Sequence, residues 1–527
     1  MEGINKKIMN QLKAGAALNY VVIILNMLVG LLYTPYMLRM MGQSEYGLYS
    51  LVASVISYLT ILDLGLGNAI VRYTAKFRAE GKTTEQYEMF GMFLLLYITI
   101  GVIAFISGLV LYFNVDSLFG STMNIEELYK ARIMMMFLIF NLAVTFPMSI
   151  FGSIITAYER FVFPKVVNII RIVLNTVIMI CLLEMGYKAI AMVILQTVFN
   201  LLTLIVNFIY CKYKLKIKIF FRNFQWGFLK EVAVYSFWIF LNVIMDRIYW
   251  STGQFVLGAF VGTAAVAVFA IAIQLEHMYM QFSSAISSVF LPKVTGMVAR
   301  NDNRKEISDL FIRTGRIQYI VIALILTGFI VFGRDFIKLW AGVGYECAYP
   351  ITMLFFISLA IPLIQNLGIT ILQARNQMKF RSLLYIVIAL LSLVFQIILA
   401  KQYGGLGCAI AIAGALFLGQ GLIMNVYYQK KQGINILKFW KEILKMSIVP
   451  LVGCLASICL LRDKVFGSWA SLCIAVSIFL IIYLPLFIRY SMNKTERDLV
   501  VIPIKKILKN SANSISYLLI FIEVLQL

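Results

Sequence analysis

The sequence predicts an all-α polytopic membrane protein with about fourteen transmembrane helices. The 527 residues are 61% hydrophobic and 13% charged, whereas soluble domains carry about 25% charged residues. Apolar runs of membrane-spanning length recur from one end of the chain to the other, and mean hydropathy is +0.89. Lys and Arg gather in alternate connecting segments, as the positive-inside rule requires. No stretch is long and polar enough for a soluble domain. The formal charge of +22, with a single histidine at His277, therefore reads as cytoplasmic loops and not as a nucleic-acid surface. The seven cysteines, Cys181, Cys211, Cys347, Cys408, Cys454, Cys459 and Cys473, are scattered in or beside apolar runs without a CxxC or Cys/His cluster. Neither a metal site nor a disulfide framework is indicated.

The N-terminus, MEGINKKIMNQLKAGAA, is basic and leads into a first span over 14–38. That span exceeds the roughly 7–15 residues of a signal-peptide core, so it reads as a retained signal anchor. Further spans fall near 46–71, 89–113, 133–157, 163–183, 189–211, 232–257, 262–290, 317–333, 347–374, 382–400, 405–429, 446–461 and 465–488. An even count puts both termini on one side. With that side taken as cytoplasmic, most of the 46 Lys/Arg lie on inner segments. The densest are KYKLKIKIFFR (212–222), the 293–316 loop and 430–445, and only Arg171 and Arg247 remain at membrane depth. A basic tail, 491–527, carries Lys505, Lys506 and Lys509. Its last apolar run, 515–527, is too short to span and reads as lying on the membrane or without fixed structure.

The chain also repeats itself. Leu25-Asn26 matches Leu241-Asn242, Tyr33 matches Tyr249, Gly42 matches Gly258, Pro147 matches Pro362, and Ala189-Ile190-Ala191 matches Ala409-Ile410-Ala411, at offsets of 215 to 220 residues. Shared order and offset indicate a duplication. Each repeat holds six spans, so both halves start from the same side, which is a parallel repeat. The expected organisation is a six-helix lobe over 1–222, a second over 223–437, two extra helices over 438–490 and the tail. Transporters built this way place cargo between the halves.

Polar groups at membrane depth mark the candidate site. In FWIFLNVIMDRIYWSTGQ (237–254), Asn242, Asp246, Tyr249 and Gly253 share one helical face, with Arg247, Trp250 and Gln254 on the next. A charge at this depth costs on the order of 2.5–3.5 kcal/mol even on the lenient scale. Either the pair is a salt bridge locking two helices, or it lines a cavity that receives a polar, anionic cargo. The counterpart of Asp246-Arg247 in the first half is Gly30-Leu31. In the eighth span Gln274, His277, Gln281, Ser284 and Ser288 recur at helical spacing, beside Glu276, Met280, Ser283 and Ser287. Serines alone would read as close packing; Gln, Glu and His together favour a cavity wall. Arg171 either snorkels to the inner surface near Lys165 or anchors phosphate with its planar fork. Asp63 reads as a proton or cation site, or as a hydrogen-bond partner of a neighbouring helix. No Gly-rich phosphate loop, Ser/His/Asp trio or metal-ligand spacing occurs, so no enzyme chemistry and no resident cofactor are expected.

TPYMLRMMGQSEYGLYSL (34–51) followed by DLGLGNAIVRYTA (63–75) resembles the opening of bacterial polysaccharide or oligosaccharide flippases. These are the Wzx-type members of the multidrug/oligosaccharidyl-lipid/polysaccharide (MOP) exporter superfamily. The matching residues are Arg39, Gly42, Tyr46-Gly47-Leu48-Tyr49, Asp63-Leu64-Gly65-Leu66 and Arg72; ITAYERF (155–161) and ILQARNQ (371–377) resemble later turns of the family. The resemblance implies the MATE-like fold of two lobes working by alternating access. It also implies a bacterial inner-membrane location and cargo on an undecaprenyl-pyrophosphate carrier, moved from the inner to the outer leaflet for cell-surface polysaccharide assembly. Assembly proteins are expected partners. In related flippases cavity cations engage the pyrophosphate, a role carried here onto Arg247 and Arg171 by depth and charge and not by a motif match. Tyr249 and Trp250 could stack on sugar rings, with Gln274, His277 and Gln281 as further polar contacts.

With the inside negative, moving an anion outward is favourable by about 2.3 kcal/mol per charge per 100 mV. Inward H+ or Na+ movement through Asp63, Asp246 or Glu276 could add to this. Rival readings are a lipid II flippase, which fourteen spans also fit, a drug/cation antiporter, usually of twelve spans, and a membrane glycosyltransferase or polymerase. The last would want a large outer loop or an acidic metal motif. The longest outer segment, 114–132, is short and no DxD occurs.

Overall fold

A computed structural model describes residues 2–222, 226–300, 303–375, 377–461 and 464–498. Residues 499–527, and with them Lys505, Lys506, Lys509 and the 515–527 run, lie outside the described residues. The side chains of Asn242 and Ser288 do as well. Among the described residues the fold is helical throughout, as expected of a chain in lipid, where every backbone polar group must be satisfied within the protein.

The helices are α1 Glu2–Met41, α2 Gln43–Leu59, α3 Leu66–Ala79, α4 Thr83–Phe113, α5 Val115–Phe119, α6 Ile125–Ala157, α7 Val162–Glu184 and α8 Ala189–Ile209. They continue as α9 Trp226–Trp250, α10 Thr252–Phe260, α11 Thr263–Arg300, α12 Arg304–Trp340, α13 Ala348–Ile364 and α14 Leu367–Ala374. The last are α15 Lys379–Leu416, α16 Met424–Tyr427, α17 Ile436–Leu461 and α18 Trp469–Tyr490. Among the described residues, 11 helical runs are long and apolar enough to cross a membrane, or up to 12 with the bent pair α13–α14 (43°) taken as one span. Two expected spans, 382–400 and 405–429, share one continuous 54-residue run, Lys379–Gln432. Gly404, at φ 56° and ψ −135°, interrupts its helical geometry between them. Glycine carries that left-handed backbone without a Cβ penalty.

Several expected boundaries are corrected. The 293–316 loop is almost all helix: α11 runs to Arg300 and α12 starts at Arg304, capped by the Asn303 side chain on the Lys305 amide at 3.1 Å. The expected second span, 46–71, is broken into α2, a 3₁₀ turn over Thr60–Asp63 and α3. The expected seventh span, 232–257, is broken at Ser251. Pro362 comes just before the α13–α14 break, where the Gln365 amide bonds the Pro362 carbonyl at 3.2 Å. Pro147, its sequence counterpart, sits inside an unbroken α6.

The duplication leaves a structural trace. The sixth and twelfth spans both end in five-residue π-helical turns, Tyr210–Lys214 (YCKYK) and Tyr428–Gln432 (YQKKQ). In each, the carbonyl of the leading tyrosine accepts an amide from just past the turn: Leu215 N–H on Tyr210 and Ile434 N–H on Tyr428, both 3.1 Å.

Contacts group the chain into two compact units, Met1–Ala270 with Leu393–Cys408, and Ile271–Ser392 with Ala409–Leu527, a division different from the lobes expected over 1–222 and 223–437. The first unit is centred on Ile70, Tyr73, Phe90, Phe93, Tyr97 and Ile154, from α3, α4 and α6. In the second, Phe332, Met446, Phe479, Tyr483 and Phe487 join α12 to α17 and α18. Large apolar side chains such as Ile474, Ile478, Ile481 and Ile482 on α18 stay exposed, as a face that meets lipid should.

The two C-terminal helices are also held by charge. Arg316, 6% exposed on α12, donates from Nε and Nη2 to Glu496 at 2.6 and 2.9 Å and from Nη1 to Glu442 at 2.8 Å. Glu496 in turn caps Asn493, accepting its amide at 2.9 Å and returning its own amide to Asn493 Oδ1 at 2.9 Å. The segment just past α18 is thus clasped to α12 and α17. Breaking a buried pair from one side strands a charge at a cost of about 3–5 kcal/mol. Arg316→Ala is therefore expected to lower the apparent Tm of the purified protein sharply, while Lys438→Ala, removing an exposed pair with Asp309, should shift it little. Equal, small shifts for both variants would contradict the clasp.

Candidate functional site

In the first unit the site is built where two spans break side by side. Leu64 (φ 52°) and Gly65 (φ 70°) both take left-handed backbone between the 3₁₀ turn and α3, which is why DLGLG cannot continue as a helix. Asp63, half-buried, ends that turn. Its carboxylate accepts the hydroxyl of Tyr97 at 3.0 Å, and Tyr97 is fully buried on α4. Helix α9 packs along the 3₁₀ turn and α3. Its own end is fixed by the Arg247 carbonyl, which accepts the Ser251 amide at 2.9 Å and the Thr252 hydroxyl at 3.4 Å. The two breaks are stapled together: the Ser57 hydroxyl donates to Ser251 Oγ at 3.0 Å, and Tyr58 and Thr252 share a hydrogen bond of 2.5 Å. Each such bond within a membrane contributes on the order of 0.6 kcal/mol, but without partners the broken turns would leave polar groups stranded.

Asp246 and Arg247 differ in surroundings although adjacent. Asp246 is exposed and Arg247 half-buried, with its Nε buried and not hydrogen-bonded within the protein. Tyr249 is 7% exposed, turned into the protein, while Trp250 is half-exposed beside it with ring centroids 6.4 Å apart. The break at Ser251 interrupts the expected Arg247–Trp250–Gln254 stripe after Trp250. Arg171 is half-buried on α7, whose main neighbours are α1 and α8. It donates to Asn168 Oδ1 at 2.9 Å, one turn earlier. Lys165 reaches Asn19 on α1 at 2.6 Å.

The second unit separates the two stripes of the eighth span. Ser283 donates to the Leu363 carbonyl at 2.7 Å and Ser287 to the Ser283 carbonyl at 2.9 Å, and the Gln318 amide lies 2.8 Å from Ser287 Oγ and 3.1 Å from Ser283 Oγ. The stripe with Ser283 and Ser287 is thus a packing seam that meets α12 and the end of α13, as small residues permit. Glu276, on the same side, is fully buried, with His277 Nδ1 3.3 Å from its carboxylate. On the other stripe His277 is exposed, and Gln274 and Gln281 are half-buried.

The motif residues have packing reasons. A Cβ on Gly47 would lie 1.9 Å from the Thr263 carbonyl oxygen, so α2 and the start of α11 touch backbone to backbone. One turn on, a Cβ at Gly258 would meet Leu51 at 2.5 Å. Around this contact Glu127 accepts hydroxyls from Ser44 and, at 2.9 Å, Thr263. Lys130 pairs with Glu45 and, at 2.6 Å, Glu126. The turn of ITAYERF is held by Arg78, whose Nη1 reaches the Ala157 carbonyl at 3.0 Å and whose guanidinium covers the Tyr158 ring. That of ILQARNQ is held by Arg375, on the Gln432 carbonyl at 2.8 Å. Sequence reasoning missed Tyr97, Ser57, Tyr58, Ser251 and Thr252. Single hydroxyls in apolar runs carry no periodicity, and only the STG triplet hinted at a break.

The apolar helical runs are those of a multi-pass membrane protein, and its fold is that of the MOP exporter superfamily. The chain belongs to the polysaccharide biosynthesis protein family, whose model matches residues 12–298. Among solved structures it is similar to the lipid II flippase MurJ in an inward closed conformation, at 17% identity over 90% of this chain and 97% of that one, TM-score 0.69. It is also similar to an inward-facing multidrug resistance MATE transporter, 14% identical over 78% and 99%, TM-score 0.61. A MOP superfamily transporter from Pyrococcus furiosus, described as having a binding pocket of reverse polarity, is 15% identical over 81% and 97%, TM-score 0.55. No curated protein matches the chain.

Proposed function

We propose that this protein is a flippase that carries a lipid-linked oligosaccharide, on an undecaprenyl-pyrophosphate carrier, from the inner to the outer leaflet of a bacterial cell membrane by alternating access, for cell-surface polysaccharide biosynthesis. The observation that carries this reading is the family match over 12–298, which covers the paired span breaks and the charged helix α9. Arg247 binds the anionic head of the cargo: its buried Nε has no acceptor within the protein, and a guanidinium fork suits phosphate. Asp246 restrains it when cargo is absent. Trp250, half-exposed, stacks on a sugar ring, with Tyr249 behind it. Gln274, His277 and Gln281 offer polar contacts to sugar, and Arg171 is a second cation for phosphate. A lipid II cargo is the second reading, favoured by the likeness to MurJ over 90% of the chain.

A charged hydrogen bond to phosphate contributes roughly 1.5–3 kcal/mol, so its loss should weaken transport at least tenfold. Arg247→Ala should reach normal protein levels yet fail to complement a flippase deletion, and Arg247→Lys should retain part of the activity. If the pair is only a structural salt bridge, the neutral double variant Asp246→Asn/Arg247→Gln would transport fully, and that result would remove Arg247 from the cargo site.

Cation coupling through Asp63, Asp246 or Glu276 is the finer proposal. At least one of Asp63→Asn, Asp246→Asn and Glu276→Gln should flatten the dependence of transport on the ion gradient in vesicles. Transport indifferent to collapse of both H+ and Na+ gradients at constant potential would mean uncoupled flipping.

Both termini are assigned to the cytoplasm. A cysteine at Asn303, in the short α11–α12 connection, should resist impermeant maleimide in intact cells of a cysteine-free background. Ready labelling there would invert the topology.

A further inference from the structure

KYKLKIKIFFR (212–222) connects the two repeats and contains five basic and no acidic residues, and it is held in a defined form. Its first part is the π-helical turn Tyr210–Lys214. Lys216 then takes left-handed backbone (φ 52°), unusual for a residue with a Cβ, and lets the Ile217 amide reach the Cys211 carbonyl at 3.0 Å. Beyond it the chain runs without helix to 222, and the Phe220 amide bonds the Tyr87 carbonyl at 3.1 Å. It lies directly on α4: a Cβ at Gly91 would be 2.1 Å from the Phe220 carbonyl oxygen. Leu215, Ile217 and Ile219 pack down on the first unit's core. The intervening Lys212, Lys214, Lys216 and Lys218 are all exposed, as is Arg222. Two large aromatics stay exposed among them, Tyr213 at 69% and Phe221 at 61%, with Lys212 Nζ 5.6 Å from the Tyr213 ring centroid.

A strap pinned on its apolar side, lysine-lined on the other and flanked by exposed rings at the end of a membrane span has the chemistry of a headgroup-binding surface. We propose that 212–222 docks on anionic phospholipid headgroups of the inner leaflet, its lysines on phosphate and Tyr213 and Phe221 in the interface. The leaflet rests on the cytoplasmic assignment made above; the lipid chemistry does not. A basic residue at an anionic surface contributes about fivefold in affinity, and aromatic rings favour the interface.

The test titrates purified full-length protein with phosphatidylglycerol and phosphatidylcholine of matched acyl chains, with adducts read by native mass spectrometry. The parent should prefer phosphatidylglycerol. The Lys212→Gln/Lys214→Gln/Lys216→Gln/Lys218→Gln variant should bind it at least tenfold more weakly, with phosphatidylcholine binding and melting temperature unchanged. The corresponding four-arginine variant should keep the preference. A parent without preference, or a glutamine variant that retains it, overturns the proposal. Lys214→Cys should be unlabelled by impermeant maleimide in intact cells. Labelling from outside would overturn the inner-leaflet assignment together with the topology, whereas absent lipid preference with no labelling overturns lipid binding alone.

Discussion

In hydrocarbon a backbone amide or carbonyl has no water to turn to, so a helix can break only where the protein supplies the missing partners. In the first unit hydroxyls at two breaks supply part of them: Thr60 donates to the Ser57 carbonyl at 2.6 Å and Thr252 to the Arg247 carbonyl at 3.4 Å. Ser57, Tyr58 and Thr252 also link the two breaks side chain to side chain. Asp63 is held by Tyr97, and α9, which carries Asp246 and Arg247, runs along the turn that Asp63 ends. The helix that carries the charged pair thus packs along backbone that is not α-helical.

The spans, their approximate positions and the superfamily were legible because each rests on signals that summation strengthens: length of apolar run, charge bias between loops and a motif in the opening residues. The breaks were not. Nothing in the hydropathy of the 46–71 run marks Leu64 as left-handed, because backbone strain leaves no compositional trace when the residue is leucine. Arg316 was read as the end of an inner loop, since a basic residue beside an apolar run resembles a positive-inside flank. Its partners Glu442 and Glu496 lie 126 and 180 residues away, and no local pattern announces a pair of that separation. Conversely, the serines of the eighth span were visible as a stripe, but whether a stripe faces a neighbour or a cavity depends on what packs there, and Gln318 and the α13 carbonyls settle that for Ser283 and Ser287.

The motif residues that identified the family serve packing more than cargo. Gly47 permits backbone contact with Thr263, Arg375 holds a turn, and Gly65 carries a left-handed bend. Such positions tolerate few substitutes whatever is transported, which is why they declare the fold and are silent about the glycan. The proposed cargo contacts, Arg247 and Trp250 foremost, lie outside those motifs.

The duplication sharpens that distinction. Both repeats end their sixth spans in the same five-residue π turn, so the scaffold was copied down to a local irregularity. Where α9 has Asp246-Arg247, the first half has Gly30-Leu31 in α1. The two halves therefore differ in charge at this position while they keep the same π turn at the ends of their sixth spans. A structural salt bridge alone would need only two opposite charges facing each other. Arg247 is half-buried with its Nε not hydrogen-bonded within the protein, so one donor of its planar fork is left over, and such a fork matches carboxylate or phosphate.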